Sequence, residues 1–123
     1  MKRILLAAFL WAAFSFSALA QTSQVAVLQP LTPAHRLSID GTSRVITSSL
    51  MAYTEIVRLV CSVSCYVQFG VSGTTPVAFA GGTTSSIFLP ANVPEYFKAP
   101  ANGKIAVIRS SGDGTLSVQE FGR

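Results

Sequence analysis

The chain has 123 residues, 50% of them hydrophobic, with nine Lys and Arg against five Asp and Glu, a formal net charge of +4, two cysteines and one histidine. That length allows one compact domain and excludes two ordinary ones. The basic side chains are spread along the sequence rather than clustered, so no phosphate-tracking surface is indicated and nucleic acid is not an expected partner.

Residues 1–20 read as an export signal: Lys2 and Arg3 form a positive start, Ile4 to Phe16 an uncharged apolar run, and Ala18-Leu19-Ala20 a small-residue cleavage site before Gln21. The run is shorter than the ~20 residues that span a hydrocarbon core, so removal is expected, and membrane contact arises only if the segment is retained. Cleavage would leave 103 of the 123 residues, and losing Lys2 and Arg3 would lower the net charge to +2. The expected location is exported, periplasmic or extracellular. What remains is rich in Val, Ile, Thr, Ser and Gly, a composition that favours strands and turns.

Residues 21–35 read as a leader or edge segment, with Pro30 and Pro33 ending any strand there, and residues 36–123 as the domain proper. Leu37 and Ile39 alternate with Ser38 and Asp40, Gly41 marks a turn, and residues 43–47 suit the next strand. Residues 48–54 bridge onward, with Leu50, Met51 and Ala52 able to form a helical turn. The strongest strand pattern is 55–63, with Val57, Leu59, Cys61 and Val63 on one face; a break at Val63-Ser64 leads to a strand at 65–69. A structureless stretch from Gly70 to Ser86 would be unusually long, so a short strand is expected at 77–80. Further strands are expected at 85–89, at 95–98 as an edge strand between Pro94 and Pro100, at 104–110 and at 115–121, the last two joined by the turn Ser111-Gly112-Asp113-Gly114. About eight short strands separated by Gly and Pro predict an all-β fold, a small β-sandwich or jelly roll. Eight membrane-spanning strands of ~9–11 residues would use nearly the whole mature chain, which excludes a transmembrane barrel.

Cys61 and Cys65 would lie ~13 Å apart on a straight strand, beyond the ~4.4–6.8 Å that a disulfide permits. They can bridge only if the chain folds back at Ser62-Val63-Ser64, and export favours that structural staple over free thiols or a redox site. His35 reads as a solvated loop residue. Asp40, Glu55, Glu95, Asp113 and Glu120 are far apart and mostly beside turns or on exposed strand faces, where solvated charge is expected. No catalytic, metal-ligating or cofactor motif stands out, and no G-x-S-x-G elbow appears. The candidate interaction surface is Tyr66, Glu95, Tyr96, Phe97 and Lys98. Tyr96 and Phe97 must face opposite ways on one strand, so that one buries and the other reaches the surface. The functional expectation is a non-enzymatic interaction or structural module that associates with itself or with a larger assembly. The alternative is a small secreted enzyme or inhibitor with a site formed by loops, recognisable by a pocket joining His35 with two carboxylates.

Between Cys65 and Glu120, the runs CYVQFG, SSIFLPANVPEYF and GKIAVIRSSGDGTLSVQE resemble small, mostly uncharacterised all-β proteins encoded among the virion structural genes of tailed bacteriophages and prophages. In those, a strand ending in F-G leads through a variable loop to F-L-P-A-x-V-P-E-Y-F and a closing hairpin. The resemblance extends from Leu37 onward and is most specific at residues 88–97. It implies a virion-associated part, such as a head decoration or fibre-attachment module, and brings no established functional residues. The export signal and the cysteine pair depart from cytoplasmic virion assembly: an exported version would be displaced from it unless the virus matures at a membrane or the domain has been recruited for secretion, with a virion surface or an envelope assembly as the expected setting.

Overall fold

Alternation of apolar and polar residues resolves into eight strands: β1 (Gln29–Ile39), β2 (Arg44–Val45), β3 (Thr54–Cys61), β4 (Cys65–Gly70), β5 (Ile87–Leu89), β6 (Glu95–Lys98), β7 (Lys104–Arg109) and β8 (Gly114–Gly122). They are seen in a computed structural model that describes residues 27–81 and 86–123. The expected export signal and most of the 21–35 segment's polar start lie outside the described residues. Strand pairing is nested, β1 with β8, β2 with β7, β3 with β6 and β4 with β5, all antiparallel. The β3–β8 and β4–β7 ladders then join these pairs into two four-stranded sheets, β1-β8-β3-β6 and β2-β7-β4-β5. The fold is a small all-β sandwich.

The core is what period-two alternation requires. Leu37 and Ile39, Val57, Leu59 and Cys61, and Leu116 and Val118 point inward from the first sheet, meeting Cys65, Val67, Ile105 and Val107 from the second. Most of these side chains are fully buried, and burying each contributes ~1.5–3 kcal/mol against the ordering entropy.

Several expectations are corrected. The 55–63 strand ends at Cys61, because the chain leaves one sheet there and enters the other at Cys65. Cys61 and Cys65 are joined by a disulfide with Cα atoms 6.5 Å apart, so the expected staple clamps the corner between the two sheets. Ser62 closes the same corner, its N–H donating to the Thr115 carbonyl and its hydroxyl accepting from the Thr115 N–H. Pro30 and Pro33 lie within β1 rather than ending it. An edge strand tolerates proline, and a register shift between Leu31 and His35 absorbs the irregularity. Residues 50–52 form no helical turn of their own; the Thr54 N–H closes a turn onto the Met51 carbonyl, and the expected 43–47 strand shortens to β2.

Residues 77–80 are not a strand. Their N–H groups find hydroxyls instead of a ladder, Ala78 donating to Ser43 Oγ at 2.9 Å and Phe79 to Ser86 Oγ at 3.0 Å. This loop starts at Gly70, where Pro76 packs so closely that a Cβ would meet it at 2.7 Å, and reaches Ser43 beside β2. Ala106, an outward position on the β7 strand between them, is fully buried. The outer face of the β2-β7-β4-β5 sheet is thus overlain, whereas that of the β1-β8-β3-β6 sheet carries exposed side chains.

The turn from β6 to β7 depends on Gly103. Its N–H donates to the Pro100 carbonyl at 3.0 Å, and a Cβ there would stand 2.5 Å from the Gly70 carbonyl oxygen. Asn102 before it takes the left-handed φ of 54°, a conformation Asn tolerates better than most residues.

Candidate functional site

β6 is the outermost strand of its sheet, as Pro94 and Pro100 predicted. Alternation sends Phe97 inward, against Phe69 at a ring-centroid distance of 5.4 Å, and leaves Tyr96 61% exposed. Glu95 is half-buried and Lys98 exposed. The Ala99 N–H donates to the Glu55 carbonyl at 3.0 Å, and Phe97 stands opposite Val57. By antiparallel alternation, Glu95 and Phe97 turn their backbone groups toward β3, and Tyr96 and Lys98 turn theirs away from the sheet.

Beside this edge, an open cleft of about 420 Å³ separates β6 from β4 and β5, lined by Phe69, Val71, Ile87, Phe97 and Pro100 among others. Val71 and Ile87 are exposed along it. The flank therefore combines an unpaired strand edge with apolar side chains from both sheets. Tyr66, expected in the same surface, is elsewhere. It lies on β4 pointing to the outer side of the second sheet, half-buried, with its ring edge-on to Phe88 at 5.5 Å.

The second constellation was not anticipated. Glu120 is 1% exposed, although an exposed strand face or turn was expected for it. Counting on from Leu116 and Val118 by twos puts it on the inward face of β8, so the signal was present in the periodicity. Its carboxylate accepts from His35 Nε2 at 2.9 Å, from the Met51 N–H at 2.8 Å and from the Thr54 hydroxyl. His35 is accordingly a strand residue with a side chain only 16% exposed, and not a solvated loop residue. β1, β8 and the turn before β3 are held together at this point.

The catalytic alternative required His35 with two carboxylates; His35 bonds to one, Glu120, and shares the lining of an open pocket of about 550 Å³ with a second, Asp40, to which it makes no hydrogen bond. Asp40 stands just past the C-terminal end of β1, where its carboxylate accepts from both Arg44 and the turn: Arg44 Nη2 and Nε donate to Asp40 Oδ2 at 2.7 and 2.9 Å, and the Thr42 N–H to Oδ1. These hydrogen bonds, Arg44 first, hold the Asp40 carboxyl below the usual carboxylate range and raise the guanidinium's pKa in turn. Among the described residues, no serine or threonine hydroxyl bonds to the remaining His35 ring nitrogen, and no group of three or more His, Cys, Asp or Glu gathers as metal ligands. The His35–Glu120 pair ties β1 to β8 and, through Glu120, to the turn before β3.

Comparison with protein-family models, curated proteins and solved structures finds no match to this chain.

Proposed function

We propose that this protein is a non-enzymatic, exported interaction module that self-associates by pairing β6 with β6 of a second copy. The observation that carries the reading is the orientation of the β6 backbone: Tyr96 and Lys98 present N–H and C=O groups outward beside an exposed apolar flank. An antiparallel pairing centred on Phe97 sets Tyr96 opposite the second copy's Lys98 and Lys98 opposite its Tyr96, and each such pair exchanges two backbone hydrogen bonds. Pro94 and Pro100 occupy the next outward positions and lack an N–H, so the pairing is confined to this short stretch instead of continuing as an open edge.

The nested strand pairing is the wrapped order of a jelly roll, an architecture used by viral capsid domains among others, and fold-level analogy of this kind is compatible with a virion-associated role. The likeness of residues 88–97 to phage virion proteins supports the same reading, with display on the virion or cell envelope as the setting. The Cys61–Cys65 disulfide fits an oxidising compartment.

The test is light scattering of the exported protein beside Lys98→Pro and Tyr96→Ser. Proline at position 98 removes an outward N–H while sparing the ladder to β3, so the variant should fold with an unchanged thermal midpoint and be monomeric. Tyr96→Ser should weaken association without unfolding. A parent protein that stays monomeric at every concentration reached, or a Lys98→Pro variant that associates as the parent does, defeats the proposal.

A further inference from the structure

Three of the basic residues that are dispersed in sequence, Arg36, Arg58 and Lys98, meet on one surface. On the outer face of the β1-β8-β3-β6 sheet, the strand registers align three cross-strand rows. Arg36 stands beside Ser117 and Val60; Gln119 beside Arg58 and Tyr96; Phe121 beside Ile56 and Lys98. Arg36, Arg58, Tyr96 and Lys98 are all exposed. With strands ~4.8 Å apart and ~3.4 Å per residue, the Cα atoms of Arg36 and Arg58 are ~12 Å apart and those of Arg58 and Lys98 ~8 Å apart, on a single diagonal.

The one carboxylate beside these rows is Glu55, at the β3 bulge next to Ile56, and it is held by Arg123. The other carboxylates are accounted for elsewhere: Asp40 by Arg44, Asp113 by Arg109, and Glu120 by His35. Glu95 points to the core side, opposite Leu59. Among the described residues, Arg36, Arg58 and Lys98 have no carboxylate partner. Between the two arginines lies a depression of about 320 Å³, floored by Val60, Ser117 and Gln119. The Gln119 amide nitrogen is committed to the Leu31 carbonyl at 2.6 Å, so that side chain presents its position firmly.

We infer that this face binds an acidic polysaccharide, with Arg36 and Arg58 gripping anionic groups on either side of the depression, Lys98 extending the track and Tyr96 covering a sugar ring. Guanidinium forks suit carboxylate and sulfate groups. Charge complementarity selects a polyanion. Within the three rows Tyr96 alone is a well-exposed ring, which suits a glycan better than single-stranded nucleic acid, held by a succession of rings stacking successive bases. Ile56, Val60 and Phe121 are half-buried and flush with the sheet, so the face has no apolar protrusion that would enter a lipid surface. The two gripping arginines lie on β1 and β3, away from the β6 edge, and Tyr96 and Lys98 would serve the glycan through side chains and self-pairing through backbone groups, so the two proposals are tested separately.

The experiment measures binding of the exported full chain to a heparin oligosaccharide, polygalacturonate, neutral dextran and an oligo(dT) of matched charge, at two salt concentrations. Both acidic glycans should bind in a salt-sensitive way and dextran should not. Arg36→Ala and Arg58→Ala should each weaken glycan binding about tenfold with thermal midpoints unchanged. Lys104→Ala, which removes the same charge from the other sheet, should leave binding intact. Oligo(dT) bound as tightly as the glycans would overturn the choice of ligand. Absence of glycan binding, or equal losses from Lys104→Ala and the arginine variants, would overturn the site.

Discussion

Replacing Glu120 tests whether the buried polar cluster is a structural requirement. Glu120→Ala removes the acceptor for the Met51 N–H, the Thr54 hydroxyl and His35 Nε2 at once. His35 retains some exposure and can turn to water, but Thr54 is buried and the Met51 N–H lies under the same turn. Each buried donor left unpaired costs ~1–3 kcal/mol. Together with the small void left behind, the sum is ~3–5 kcal/mol, the range expected when one partner of a buried pair is removed. That is a large part of the ~5–15 kcal/mol by which domains of this size are stable. Glu120→Gln keeps a carbonyl oxygen for Met51 and Thr54, and its amide can donate to His35 in the other tautomer, so it should cost only about 1 kcal/mol. Urea unfolding followed by far-UV circular dichroism measures both, with equal slopes required for a valid comparison. If Glu120→Ala costs less than about 1 kcal/mol, or if Gln is as damaging as Ala, the account of Glu120 as a geometric anchor is wrong.

The disulfide should be recovered as a Cys61–Cys65 link within one fragment when exported protein is digested without reduction, and a Cys61→Ser/Cys65→Ser variant should lose about 2 kcal/mol, the entropy-model value for so short a loop; two alkylatable thiols in exported protein would contradict it. Asp40 has a lowered pKa from its Arg44 and Thr42 hydrogen bonds, so its contribution is present above the unfolded carboxylate's pKa and is lost as pH falls through the folded one. The stability gap between the parent and Asp40→Asn should therefore be open at neutral pH and close below about pH 4, and a gap independent of pH would refute the linkage. Signal removal predicts an intact mass beginning at Gln21, with no tryptophan fluorescence; a secreted product retaining Trp11 would show that the segment stays attached.

Period-two alternation was enough to place Val57, Leu59, Leu116 and Val118 in a core, because the extended backbone forces neighbouring side chains to opposite faces whatever the tertiary arrangement, and the flanking Pro94 and Pro100 were enough to make 95–98 an edge. The turn between Cys61 and Cys65 was legible too, since a straight strand cannot bring two such cysteines into bonding range. Other features depend on which strands become neighbours. Residues 77–80 have the apolar content of a strand, yet their N–H groups are taken by Ser43 and Ser86 hydroxyls, partners that no local pattern identifies. Alternation with Leu116 and Val118 already turns Glu120 inward, but the donors that make a buried carboxylate tolerable there, His35, Met51 and Thr54, come only from β1 and the turn before β3. Arg36, Arg58 and Lys98 are each an isolated cation in the sequence and become one diagonal only through the β1–β8, β8–β3 and β3–β6 registers. The sequence by itself determined strand character and facing, which are local properties of the backbone; tertiary structure alone decided the partners, because sheet order joins residues far apart in the chain and polar and charged side chains act through whatever that order sets beside them.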